Sequence, residues 1–103
     1  MQTEDTHQLL QQRWLHSHEE DTATETVYRP ASFAFPRSRG RAGFELRPNH
    51  ELVEIGIAPT DGPQLKQGVW ELNENSDLIL HSGTLPRTLH IHSATPECLV
   101  IQK

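Results

Sequence analysis

The sequence predicts an all-β fold: a small up-and-down antiparallel barrel of about seven or eight strands with a short N-terminal helix. Three observations carry this expectation. Turn-forming clusters recur down the chain, among them DTAT, PTDGP, NENSD, SGTLPR and ATPE. Short alternating runs lie between them, clearest where Ala42, Phe44 and Leu46 oppose Arg41, Glu45 and Arg47. Nearly every connection is short, which favours antiparallel neighbours in sequence order; closing the meander removes edges that an open sheet would expose. A Greek-key sandwich is the alternative topology.

The 103 residues suit one domain, residues 1–103, with one modest core. Thr3 or Asp5 can cap a helix running to Arg13, with Leu9, Leu10 and Trp14 near one side. A strand is expected over Arg13 to Glu20, a turn over Asp21 to Thr24, and a second strand over Glu25 to Arg29. The stretch Pro30 to Gly40 holds two prolines and two phenylalanines without a steady period, so it reads as the one long connection.

After the Ala42 to Arg47 strand, Pro48 and Asn49 mark a turn. The strand His50 to Ala58 is expected to bury Val53, Ile55 and Ile57, and Asp61-Gly62 ends it. Leu65 to Leu72 places Trp70 and Leu72 on one side, with Gly68 leaving room for a close neighbour or a bend. Leu78 to His81, Thr88 to Ser93 and Cys98 to Gln102 complete the set. The expected core is Trp14, Phe44, Leu46, Val53, Ile55, Ile57, Trp70, Leu72, Leu89 and Ile91.

The formal charge of −5 argues against a nucleic-acid binder, which needs a net basic surface to neutralise phosphates. Cys98 is the single cysteine, so an intrachain disulfide and a Cys-based zinc site are both excluded, and a reduced, cytoplasmic setting is expected. No segment approaches the roughly 18 apolar residues of a membrane span, and the N-terminus lacks the pattern of a secretory signal.

A short helix leading to Trp14 on the first strand, a Thr60-Asp61-Gly62 turn in mid-chain and consecutive short strands thereafter resemble a compact lipocalin-like, or calycin-like, barrel. The family's Gly two positions before that Trp is Gln12 here. The segments WLHSHEED, VYRP and FPRSRGRAGFEL look more like a group of short bacterial proteins. The lipocalin resemblance implies a ligand held at the barrel mouth.

The densest chemistry lies in WLHSHEED. On a strand, Trp14, His16, His18 and Glu20 would share one face, and residues two apart are about 6.6 Å apart, so His16, His18 and Glu20 could hold zinc or another divalent metal. A cupin would place a Glu a few residues after the histidine pair, where Thr22 and Ala23 stand, so that reading fails. His90 and His92 alternate with Leu89 and Ile91 and are expected to face outward. Ser17 between two histidines is no triad, because strand neighbours point to opposite faces. RGRAG lacks the context of a phosphate loop.

Two functional expectations follow. The first is a non-enzymatic barrel binding a small ligand or a protein partner at its mouth, through Trp14, His16, His18, Glu20, Arg37, Arg39, Arg41 and Trp70. The second is a metal-binding protein or metal-dependent enzyme built on His16, His18 and Glu20. Opposite charge further predicts that Arg37, Arg39 or Arg41 meets Glu19, Glu20 or Asp21 at one rim, drawing the long connection over His16 and His18.

Overall fold

A computed structural model describes residues 8–37, 41–57, 63–75, 77–83 and 85–102. Among them are eight strands: β1 (Arg13–His16), β2 (Glu25–Pro30), β3 (Gly43–Leu46), β4 (Glu51–Ile57), β5 (Pro63–Leu72), β6 (Asp77–His81), β7 (Arg87–Thr95) and β8 (Cys98–Gln102). They form one closed antiparallel barrel in the order β1-β2-β8-β7-β6-β5-β4-β3. Residues 8–10 are helical, as expected for the end of the N-terminal helix. The proposed cap at Thr3 or Asp5, the Thr60-Asp61-Gly62 turn and the side chain of Ile57 lie outside the described residues.

From β3 to β8 the chain is a meander. The first hairpin departs from it, because β1 sits between β2 and β3 and is antiparallel to both. β2 and β3 therefore run parallel, and parallel strands require a crossover rather than a tight turn. This explains why residues 31–42 form the long connection. It leaves β2 beside the start of β1, where the Ala31 N–H donates to the Arg13 carbonyl at 3.0 Å, and rejoins beside its end, where the His16 N–H donates to the Ala42 carbonyl at 2.8 Å.

Inside, Trp14, Phe44, Leu46, Leu52, Trp70, Leu78, Leu80, Leu99 and Ile101 join Leu10 in one buried cluster, with Leu72, Leu89 and Ile91 packed against it. One end of the barrel is plugged. The Trp14 indole N–H donates to the Leu10 carbonyl at 3.0 Å, and Gln12 reaches the Pro96 carbonyl at 3.0 Å. The Trp70 indole N–H donates to the Arg47 carbonyl at 2.9 Å, so both large rings keep their polar atoms bonded while filling that half.

Two glycines let strands approach closely. A Cβ at Gly43 would collide with the Trp14 carbonyl oxygen, and one at Gly68 with the His81 carbonyl oxygen. Both obstacles are backbone atoms of the neighbouring strand, which cannot swing aside.

The structure corrects two sequence expectations. The first strand ends at His16, and His18–Glu20 form a 3-10 turn, so His16, His18 and Glu20 do not alternate along one strand face. Ser17, buried between them, starts the turn: its N–H donates to the Val27 carbonyl while its own carbonyl accepts from the Glu20 N–H. The second correction is in β4. Leu46 pairs with Leu52, and Phe44 with Glu54, so Leu52, Glu54 and Gly56 share the inward parity. Val53 and Ile55 are buried, at 6% exposure each, but on the outer face. With apolar residues on both faces of this strand, a one-residue change of frame exchanges inside for outside.

Candidate functional site

The end of the barrel opposite Leu10 holds a cleft of about 690 Å³, lined by Tyr28, Phe44, Glu54, Lys66 and Arg87 and also by Ile55 and Leu65 of the outer face. Its residues arrive there by register. His16 pairs with Tyr28, Phe44 with Glu54, Glu54 with Lys66, and Leu80 with Arg87, so each comes from the open ends of β1 to β7. The Tyr28 ring lies between Phe44, with centroids 5.0 Å apart, and His16, at 5.5 Å.

Glu54 is the polar centre of this mouth. Its Oε1 accepts from Arg87 Nη1 at 2.9 Å, and its other carboxylate oxygen accepts from the Ser82 hydroxyl. Its side chain is 18% exposed, which explains why an inward carboxylate needs both donors. Lys66 stands across the β4–β5 ladder from Glu54, and its Nζ reaches the turn that carries Ser82, lying 3.4 Å from where a Gly83 Cβ would be. Burial pushes the Tyr28 phenol above its ordinary value, against Arg87 and with Asp21 and Glu54, which keeps it a hydroxyl donor at neutral pH.

At the rim, Asp21 holds His16. Its Oδ2 lies 2.7 Å from His16 Nε2, while its Oδ1 accepts from the Val27 N–H at 2.9 Å. An acid anchored to backbone thus sets the plane of an imidazole packed on Tyr28.

The long connection is clamped beside this rim as its charges predict. Arg41 grips Glu19 with two hydrogen bonds and also donates to the carbonyls of His16, at 3.0 Å, and Pro36, at 2.8 Å. Its guanidinium carbon lies 4.4 Å above the Phe35 ring. A parallel set joins Arg29 to Glu20 through two hydrogen bonds, at 2.8 and 2.9 Å, and stacks Arg29 at 4.7 Å on Phe33. Phe33 and Phe35 meet edge to face at 5.0 Å. The Arg41 guanidinium holds Glu19 down to about 2, and Arg29 lowers Glu20 in the same way.

Of the residues that sequence reasoning nominated, His16 borders the cleft and Arg41 fastens the connection next to it. His18 is exposed on the 3-10 turn, its ring centroid 6.0 Å from that of His16. Glu20 is committed to Arg29, and Arg37 is exposed. Arg39 lies outside the described residues. Trp14 and Trp70, at 0% and 1% exposure, belong to the buried core cluster.

Among the described residues, no group of three His, Cys, Asp or Glu side chains is placed to hold a metal ion, so the zinc or divalent-metal set of His16, His18 and Glu20 is not assembled. His90 and His92 face outward and lie near Asp77 and Glu25, at 3.0 and 3.3 Å.

Sequence reasoning assigned no site role to Tyr28 and missed Asp21 as the partner of His16. It also missed Glu54, Lys66, Ser82 and Arg87. The one local trace of Glu54 is the frame Leu52-Glu54-Gly56, which a single large apolar residue does not select; the pairing of Leu52 with Gly68 and of Glu54 with Lys66 fixes it.

No family model, curated protein or solved structure matches the chain.

Proposed function

We propose that the protein is a non-enzymatic β-barrel that binds a small molecule in the mouth formed by Tyr28, Phe44, Glu54, Lys66 and Arg87. The observation that carries this reading is the contrast between the two ends: one is plugged by Leu10 and two tryptophans, and the other keeps a cleft of about 690 Å³ with polar groups converging on an aromatic wall. The size suits a compact organic molecule. A lipocalin-like relationship belongs to the same proposal, supported by the closed eight-strand antiparallel barrel and the helical turn before Trp14. The order of the first hairpin is the point at which the chain departs from a simple meander.

A cytoplasmic setting is also proposed, on the strength of Cys98 being a lone, partly buried thiol raised by burial. No helix among the described residues is long and apolar enough to cross a membrane. A protein partner is the alternative occupant of the mouth; the concave shape favours the small molecule.

A panel of small aromatic and aliphatic compounds, titrated into isotope-labelled protein, tests the reading. Shifts concentrated at the amides of Gly43, Phe44, Lys66 and Arg87 are expected. Shifts confined to the Leu10 and Trp70 end would overturn it.

A further inference from the structure

The cleft has a sign opposite to that of the chain around it. Lys66 and Arg87 bring two positive charges to the mouth, and Glu54 brings one negative charge, in a protein of net charge −5. Glu54 is already answered by Arg87 Nη1 and the Ser82 hydroxyl, so its role is to aim the guanidinium. Among the described residues the other N–H groups of Arg87 have no hydrogen-bond acceptor, and neither does the Tyr28 hydroxyl. These donors and the Lys66 ammonium line the same cleft as the Tyr28 and Phe44 rings, whose centroids are 5.0 Å apart.

We infer that the ligand is a planar organic carboxylate, with its anionic head on Arg87 and Lys66 and its apolar body against Tyr28 and Phe44. The inference rests on the small-molecule reading above and adds its chemical class. Lys66 and Arg87 outnumber Glu54 by one charge among the cleft-lining side chains, and Asp21 stands bonded to His16 at the rim, so a monoanion suits the cleft better than a dianion. Arginine suits a carboxylate because its planar fork presents parallel N–H donors, and its orientation by Glu54 is set before binding. Tyr28 supplies a neutral donor that can bond a carboxylate without adding charge.

The test compares 2-naphthoate with 2-naphthamide, its uncharged counterpart, by amide-shift titration of the whole chain. Naphthoate is expected to bind at least tenfold more tightly and to shift Gly43, Phe44, Lys66 and Arg87. The double variant Arg87→Gln/Lys66→Gln is expected to lose that preference while retaining the weaker binding of naphthamide. Both substituted side chains are exposed, the glutamine amide introduced in Arg87→Gln can still donate to Glu54, and a cooperative melt with native tryptophan emission verifies the fold.

Equal affinity for the two compounds in the native chain would overturn the carboxylate assignment and leave the small-molecule reading standing. A variant that keeps the preference would do the same. If neither compound shifts a cleft amide, both the assignment and the reading beneath it fall.

Discussion

Arg41 binds Glu19 through two hydrogen bonds, Nη1 to Oε1 at 2.8 Å and Nη2 to Oε2 at 2.6 Å, and the same guanidinium caps the His16 carbonyl. Its side chain is only 7% exposed, unlike an ordinary surface ion pair. One residue thereby joins the crossover connection, the 3-10 turn and the end of β1.

Replacing Arg41 with Met is expected to loosen this junction more than the barrel. Amide exchange should quicken at His16, whose N–H donates to the Ala42 carbonyl, while exchange in β5 and β6 stays slow. Equal acceleration throughout would show that Arg41 supports the fold globally.

Acid should weaken the same junction. Glu19 is held at about 2 by Arg41, against an ordinary value of 4.5, so the folded state binds its proton less readily than the unfolded chain. The stabilisation is fully present above 4.5 and disappears as pH falls through about 2. Glu20, lowered by Arg29, and Glu45, lowered by Arg47 and then Arg13, act with the same sign. Urea melts between neutral pH and pH 2 should show a progressive loss, smaller in Arg41→Met. A native chain as stable at the acid limit as at neutrality would contradict the pairing.

The close-approach glycines should tolerate no side chain. Gly43→Ala and Gly68→Ala each drive a methyl group into a carbonyl on the adjacent strand and force the ladder apart. Overpacking of this kind costs about 1–3 kcal/mol or more, which urea denaturation would register as a lower midpoint. Neutral substitutions would mean that the strands can separate without cost at these positions.

Trp70→Ala removes a ring that is 1% exposed together with its bond to the Arg47 carbonyl. Truncation of a buried Trp costs about 3–5 kcal/mol, a large share of what a small domain has. The variant is expected to melt far below the native chain or fail to fold. A near-native melting temperature would contradict the placement of Trp70 in the plug.

The barrel was legible because its cues are local. GFEL, DLILH and CLVIQ alternate cleanly between buried and less buried positions, and the turns between them contain the expected Gly, Pro, Asn and Asp residues. Charge complementarity likewise foretold that an arginine of the long connection would meet the acids after His18. What sequence could not supply was non-local. The exchange of β1 and β2 depends on pairings with β3 and β8, and the inward frame of β4 depends on Leu46 and Gly68 across the ladder. Glu54 reads as a solvent-facing acid until Ser82 and Arg87, far along the chain, are seen to bond it. The end of β1 at His16 was hidden by the polar run that follows, which alternation alone does not divide into strand and turn.

The central claim, that the mouth is where a small molecule enters, is tested most directly by blocking it. Ala42 lines the cleft, and Ala42→Trp would fill the entrance while leaving the plug of Leu10, Trp14 and Trp70 untouched. Isothermal titration with 2-naphthoate is expected to show at least a tenfold loss of affinity in this variant, with the melting temperature within a few degrees of the native chain. Undiminished naphthoate binding in a folded Ala42→Trp protein would contradict the claim.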